Sequence, residues 1–356
     1  MKVLLTGGGT GGHIMPILAV IKKLKNENVD FLFIGPKSNF NKIIKKEGVK
    51  VKTINAGKLR RYLSIKNLFD TIKIPIGFIQ SLYIIYNYKP DIVFSKGGYA
   101  SVPPVLAAWI FRIPVITHES DTVPGLANKI VSKFASKIFV SFSDSKKYFV
   151  SNKIIYTGNP IREEILNGDK NKAKKIFDLK ENIPTILIFG GSQGAKKINE
   201  MVLKILPKVL DGTQIIHVCG KNNYIELKNE IEKLNIKNKH RYKVYPFLTD
   251  KLKDAYALCN VVISRAGANS LSEIIALEKP GIIIPLSSSA NDHQMENAKF
   301  FAEKGMVILI KEENLTVDIM IKELSKILRK DDFRANMIRK MNKHNSGEKN
   351  AVNLIA

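Results

Sequence analysis

Gly7-Gly8-Gly9-Thr10-Gly11-Gly12-His13 (GGGTGGH) follows the apolar run Val3–Thr6 and precedes an apolar-periodic stretch from about Pro16 to Leu24. Strand, glycine turn and helix in that order open a nucleotide-binding α/β fold. The pattern continues with Asp30–Ile34, closed by Gly35-Pro36, then with short apolar runs at Ile92–Phe94, Val115–Thr117 and Ile138–Val140. Near Thr157-Gly158-Asn159-Pro160 it resets. Ile186–Phe189 runs into a second glycine turn, Gly190-Gly191-Ser192-Gln193-Gly194-Ala195, and another helix. Further strands are expected at Gln214–Val218, Lys243–Tyr245, Val261–Ile263, Gly281–Ile284 and Val307–Ile310. Strands alternating with helices at this spacing predict two Rossmann-like domains. Each has a doubly wound parallel sheet, with a cleft between the domains and ligands at the carboxyl ends of the strands.

Composition agrees. The 356 residues suffice for two domains of roughly 100–200 residues each. With 45% hydrophobic and 25% charged residues, the chain has material for two cores. Two cysteines, Cys219 and Cys259, exclude a disulfide scaffold and a Cys-rich zinc site. The opening apolar run is too short for a signal peptide. The most apolar stretches, 72–88 and 100–118, are broken by Lys73, Pro75, Gln80, Pro103, Pro104, Arg112 and Pro114, so neither reaches the ~20 residues of a spanning helix. A cytoplasmic location is expected. Of the net charge of +25, residues 1–159 carry 24 Lys+Arg against 8 Asp+Glu, a net of +16. The denser positive field of this half suits an anionic partner, although a lysine-rich solvated surface accounts for it equally well.

The first glycine turn contains G-x-G-x-x-G, but the second strand ends in Gly35-Pro36-Lys37 where a dinucleotide site needs an acidic residue. What remains is a set of exposed N–H groups at a helix N-terminus, suited to pyrophosphate. His13, at that helix start, is disfavoured as imidazolium and is a candidate general base. The second turn, 190–195, makes another phosphate-sized nest. Arg162, at the domain junction, is a further phosphate ligand candidate. Ser270 and Glu273 read as an S-x-x-E capping box, or as partners for ribose hydroxyls. No Asp-x-Asp occurs, so phosphate charge falls to helix ends and cationic side chains. Between Ile65 and Tyr88, Leu68, Ile72, Pro75, Ile79, Leu82, Tyr83 and Tyr86 share a helical face, widened by Ile74, Phe78, Ile85 and Ile76 to an apolar arc of roughly 200°. A core-facing helix needs about 100°. The excess, beside Lys58, Arg60, Arg61, Lys66 and Lys73, suits lipid, as does the cluster Trp109, Phe111 and Arg112. Two helices buried on both sides are the plainer alternative.

Gly7–His13, Lys96-Gly97-Gly98-Tyr99, His118-Glu119, Gly158–Arg162 (GNPIR), Gly190–Ala195 (GGSQGA), Ser270-x-x-Glu273 and Asp292-His293-Gln294…Asn297-Ala298 occur in an order that resembles the MurG family. Its members are UDP-N-acetylglucosamine:undecaprenyl-pyrophosphoryl-muramyl-pentapeptide N-acetylglucosaminyltransferases. The resemblance runs to about residue 300. It implies a GT-B fold with an acceptor- and membrane-binding domain at 1–159, rejoined by a C-terminal helix at about 340–356, and a donor domain at 160–339. It implies inverting transfer from UDP-GlcNAc to the muramyl C4 hydroxyl of undecaprenyl-pyrophosphoryl-MurNAc-pentapeptide, with no cofactor and no metal, at the cytoplasmic membrane face.

In this family's terms His13 is the base. Arg162, Gly191, Ser192, Gln193 and Gly194 hold the donor diphosphate, Ser270 and Glu273 lie at the ribose, Gln294 at the GlcNAc hydroxyls, and Phe247 and Leu248 at uracil. Thr10, Gly11, Gly12 and Asn128 lie where donor and acceptor meet. Gly97, Gly98, Tyr99, His118 and Glu119 lie on the acceptor side, and Ile74, Phe78, Ile85 and Trp109 face an anionic membrane. Two departures stand out. The family usually has His-Glu-Gln-Asn where this chain has His118-Glu119-Ser120-Asp121, and Lys96 replaces a commonly apolar residue. The rivals are another GT-B UDP-sugar enzyme (a glycolipid transferase or a UDP-GlcNAc 2-epimerase), an NAD-linked oxidoreductase disfavoured by Lys37, and a nucleic-acid binder resting on charge alone. No nucleic acid partner is expected, since the basic runs lack interleaved aromatics.

Overall fold

The structure is a computed structural model describing residues 1–57, 65–191, 194–348 and 351–355. It divides into two compact units, Met1–Arg162 with Asn350–Ala356, and Glu163–Lys349. The expected closing helix is two helices. Asp331–Glu348 packs on helices of the second unit, and only Ala351–Ile355 packs on helix Gly11–Lys23 of the first.

The first unit holds a seven-stranded sheet: β1 (Lys2–Thr6), β2 (Asp30–Gly35), β3 (Lys50–Thr53), β4 (Ile92–Ser95), β5 (Val115–Glu119), β6 (Lys137–Val140) and β7 (Ile154–Tyr156). Its order is β3-β2-β1-β4-β5-β6-β7, with every pair parallel. The central strands read as apolar runs because both faces are covered. Leu4, Ile34, Val93 and Val140 point to one layer of helices, and Leu5 and Phe33 to the other, where they meet Ile17. The chain reverses direction across the sheet between β1 and β4, which brings the loops after these two strands side by side.

The second unit repeats the plan with six parallel strands: β8 (Thr185–Phe189), β9 (Gln214–Val218), β10 (Tyr242–Tyr245), β11 (Val261–Ser264), β12 (Gly281–Ile283) and β13 (Ile308–Leu309), in the order β10-β9-β8-β11-β12-β13. Its switch lies between β8 and β11, so the turn at 190–195 adjoins the loop after Ser264.

Helix Ile65–Tyr88 lies on the first sheet. Gly77 is pressed so close to Asn55 that a Cβ would stand 1.9 Å from the Asn55 carbonyl oxygen. Gln80 Oε1 accepts from Asn55 N (2.7 Å). These contacts set the helix rotation and correct the membrane set expected above. Ile85 is 1% exposed and Phe78 packs half-buried on the core, so neither belongs to an outer face. The exposed residues are Ile76, Ile79 (65%), Tyr83 (72%) and Tyr86 (64%), with Ile74 half-buried. They run on to Trp109 (56%), Ile110 and Phe111 of the next helix through the Tyr86–Phe111 ring pair at 6.3 Å. The side chains of Leu68, Ile72 and Lys66, and all of Lys58, Arg60 and Arg61, lie outside the described residues. Among those described, no helix is long and apolar enough to cross a membrane.

Candidate active site

Helix Gly11–Lys23 begins earlier than its apolar periodicity suggests, with Thr10 as the extended residue before it. His13 is therefore in the first turn, where Thr10 Oγ1 meets its Nδ1 at 2.8 Å. Thr10 and Gly12 are exposed, Gly11 and His13 half-buried. Burial is the main force pushing the His13 pKa down, to about 4. The Lys96 ammonium adds to it and Asp121 opposes it. The imidazole is thus neutral near pH 7, the form that accepts a proton.

The loop after β4 completes this surface. Gly97 and Gly98 have φ of +79° and +84°, a region costly for any side chain. A Cβ on Gly97 would lie 2.1 Å from Asn128 Oδ1. Gly8 N donates to Gly97 O (2.9 Å), tying the two glycine loops together. Tyr99, half-buried, opens the next helical turn. His118 and Glu119, expected at the acceptor, lie beneath the surface instead. His118 Nε2 pairs with Gly158 O (2.9 Å), and burial holds its pKa well below the usual histidine value. Glu119 accepts from Asn128 Nδ2 (2.8 Å) and Asp121 N (2.9 Å). These two residues support the loop and do not line it. Arg162 is half-buried at the close of the first unit.

In the second unit the loops after β8, β10, β11 and β12 share one sheet edge. Gly191 and Gly194 have φ of +85° and +78°. A Cβ on Gly194 would lie 2.3 Å from Cys219 O, so this turn too is built for glycine. Helix Lys196–Val209 follows, its first amides directed at the turn. Ser192 and Gln193 lie outside the described residues. Helix Ala268–Ala276 starts after Gly267, three residues before the capping-box reading requires. Ser270 is inside its first turn, and Glu273 accepts from Tyr256 Oη (3.3 Å) instead of capping. Gln294 Oε1 accepts from Leu286 N (3.0 Å), fixing that side chain to the loop after β12. Phe247 is exposed while Leu248 is buried.

Beneath this edge lies a feature the sequence reading missed. Arg265 Nη2 pairs with Glu312 Oε1 (2.5 Å) while its Nη1 donates to Ile284 O and Pro285 O. Glu312 Oε2 also accepts from Ser287 Oγ (2.6 Å). Arg265 follows β11 directly, as a strand-end loop residue does at ligand sites, which is the signal that was there to be read. Among the described residues no group of three or more His, Cys, Asp or Glu is placed to hold a metal ion.

Residues 3–140 match the glycosyltransferase family 28 N-terminal domain, and residues 185–354 its C-terminal domain. Two parallel-sheet units, each with a glycine turn feeding a helix, define the class as a GT-B glycosyltransferase. A relative from Clostridium perfringens named UDP-N-acetylglucosamine–N-acetylmuramyl-(pentapeptide) pyrophosphoryl-undecaprenol N-acetylglucosamine transferase is 42% identical over 356 residues, 99% of this chain and 97% of its own. The chain belongs to the MurG family of N-acetylglucosaminyltransferases within glycosyltransferase family 28. A Bacillus cereus relative, carrying the same name with the suffix 2, is 41% identical over 343 residues, covering 96% of this chain and 95% of its own. The crystal structure of Acinetobacter baumannii MurG has a TM-score of 0.76 at 26% identity, covering 99% of this chain and 98% of that one. A UDP-GlcNAc 2-epimerase from Neisseria meningitidis, bound to UDP-GlcNAc, shares the fold at a TM-score of 0.72 and 18% identity, covering 100% of this chain and 98% of that one.

Proposed function

We propose that this chain transfers GlcNAc from UDP-GlcNAc to the muramyl C4 hydroxyl of undecaprenyl-pyrophosphoryl-MurNAc-pentapeptide, the lipid I to lipid II step of peptidoglycan synthesis. The observation that carries this reading is a neutral His13, held by Thr10 at a glycine loop, in a chain 42% identical to transferases of that name. His13 takes the proton of the C4 hydroxyl through Nε2 as that oxygen attacks the sugar C1. The bond from C1 to the UDP phosphate oxygen breaks, UDP leaves with the electron pair, and the anomeric centre inverts. Gly11, Gly12, Gly97 and Gly98 cradle the acceptor pyrophosphate with backbone N–H groups.

The donor belongs to the second unit. The amides of the 190–195 turn, with Ser192 and Gln193, take the diphosphate. Glu273 with Ser270 takes the ribose, Gln294 the sugar, and Phe247-Leu248 the uracil. With no Asp-x-Asp in the chain, this charge is met without a metal. Ile79, Tyr83, Tyr86 and Trp109, beside the net +16 of residues 1–159, seat the first unit on the anionic cytoplasmic membrane face. Mass spectrometry after incubation with UDP-GlcNAc and the lipid acceptor tests the reading. Gain of one N-acetylhexosamine on the acceptor supports it. Conversion of UDP-GlcNAc without an acceptor product would favour an epimerase instead.

A further inference from the structure

One buried carboxylate gathers partners from three loops at the sheet edge of the second unit. Glu312 opens the helical turn Glu312–Asn314 that follows β13, and it is buried. Its Oε1 pairs with Arg265 Nη2 from the loop after β11 (2.5 Å), and its Oε2 accepts from Ser287 Oγ in the loop after β12 (2.6 Å). Exposed Lys197, in the first turn of the helix after the 190–195 turn, stands 3.5 Å from the same Oε2. A carboxylate taken out of water stays charged only among such partners, so its place ties theirs together.

The loop after β12 receives most of this support. Arg265 Nη1 donates to Ile284 O (3.2 Å) and Pro285 O (3.1 Å), and Ser287 is held by the carboxylate. Leu286 lies between these anchors, and its N–H donates to Gln294 Oε1 (3.0 Å). Ser289 N donates to Leu286 O (3.1 Å), and Ser289 Oγ accepts from Gln294 N (3.4 Å). With its oxygen taken by Leu286, the Gln294 amide has its NH2 donors left to offer, and hydroxyl oxygens of a sugar accept from such a group.

We infer that Glu312, acting through Arg265 and Ser287, is a positioning residue for the donor sugar. It holds the loop after β12 where Gln294 meets the sugar hydroxyls, and so sets how well the chain tells UDP-GlcNAc from UDP. The sugar contact of Gln294 rests on the function proposed above. The brace beneath the loop does not. Ser287→Ala removes one bond of that brace and leaves Arg265 and Lys197 on the carboxylate, so it isolates the loop after β12.

Calorimetry of UDP-GlcNAc and of UDP on the full chain tests this in Ser287→Ala, Glu312→Gln, Gln294→Ala and the Ser287→Ala/Gln294→Ala double variant. Gln294→Ala sets the scale, a loss of about 2–12-fold in UDP-GlcNAc affinity, the worth of one hydrogen bond. Ser287→Ala and Glu312→Gln should each lose up to that much while UDP affinity stays within about twofold, and Ser287→Ala should cost nothing more once Gln294 is gone. Equal losses for both ligands, as from a merely loosened unit, overturn the inference, and so does a Ser287→Ala loss that adds fully to that of Gln294→Ala. So do parent-like affinities in both Ser287→Ala and Glu312→Gln. If Glu312→Gln fails to fold, Ser287→Ala decides between the same outcomes. Hydrogen exchange separates the brace from the donor reading. The Leu286 amide should exchange faster in Ser287→Ala than in the parent while the amides of β8 keep their protection, and unchanged exchange overturns the brace. If that amide loosens but Gln294→Ala binds UDP-GlcNAc as the parent does, the brace stands and the sugar contact of Gln294 falls, with the discrimination that rests on it.

Discussion

Gly98 stands so close over His13 that a Cβ at Gly98 would lie 3.0 Å from His13 Nε2 and 3.0 Å from Gly8 N. The loop after β4 therefore sets the ceiling above the Nε2 edge of the imidazole. Gly98→Ala must hold a methyl group at φ +84° against that ring. It should cost ~1–3 kcal/mol of stability and most of the turnover, with UDP-GlcNAc affinity nearly unchanged. Thermal melts, calorimetry and initial rates on one preparation check the three parts.

His13→Ala should lower kcat by about 10²–10⁴-fold, the usual cost of losing a general base, while donor affinity changes little. Because the folded-state pKa is about 4, the imidazole gains its proton only as pH falls through that value. The acid limb of kcat/KM should lie near pH 4 and not near 6.5. An acid limb near 6.5 that His13→Ala abolishes would show the imidazole to be more solvated than its packing implies.

Donor binding should survive chelation. Calorimetry of UDP-GlcNAc in EDTA should match that in buffer with magnesium. Glu273→Ala should weaken binding by ~1–3 kcal/mol through lost ribose hydrogen bonds. Since Tyr256 Oη also loses its acceptor, a melting curve must separate binding from folding. Loss of binding in EDTA would point to a metal bridge on the diphosphate.

Ile79→Asp with Tyr83→Asp should abolish flotation on anionic vesicles while leaving the melting temperature near the parent, because both side chains are already exposed. Ile85→Asp, buried in the first core, should unfold that unit. Retained flotation of the double variant would remove the lipid role of this face.

Glu312→Ala should destabilise the second unit by ~3–5 kcal/mol, since it strands a buried Arg265. Burial raises the Glu312 pKa, but the bonds from Ser287 and Arg265 outweigh it and hold it at about 2. Its stabilisation is complete above the unfolded value near 4.5 and fades as pH falls towards 2. The parent should lose more stability over that window than Glu312→Ala, in which Glu181, also held at about 2, still titrates. Denaturant titrations at pH 6 and pH 3 measure the difference.

The glycine loops after β4 and β8 were legible in the sequence because glycine is demanded by geometry at Gly97, Gly98, Gly191 and Gly194, where side chains would collide or strain. The central strands were legible as unbroken apolar runs. The edge strands were not. β3 reads Lys50-Val51-Lys52-Thr53, short and alternating because one side faces solvent, and β7 has three residues. An apolar arc of ~200° told of excess hydrophobicity, but not which half faces water. The press of Gly77 on Asn55 decides that, from a partner distant in sequence. The burial of His118 and Glu119 was hidden for a similar reason. Their bonds to Gly158 and Asn128 come from neighbouring elements, and β5 runs two polar residues beyond the apolar run that ends at Thr117.

The helix Ala351–Ile355 is made last among the described residues, yet it belongs with the first. Ala351 is fully buried and Ile355 packs on the core of Val3, Leu5 and Ile17. On a ribosome the N-terminal unit thus lacks this flank until all 187 residues from Glu163 to Lys349 have been made. The order of manufacture therefore differs from the order of completion: every residue of the second unit is made before the last helix of the unit that carries His13.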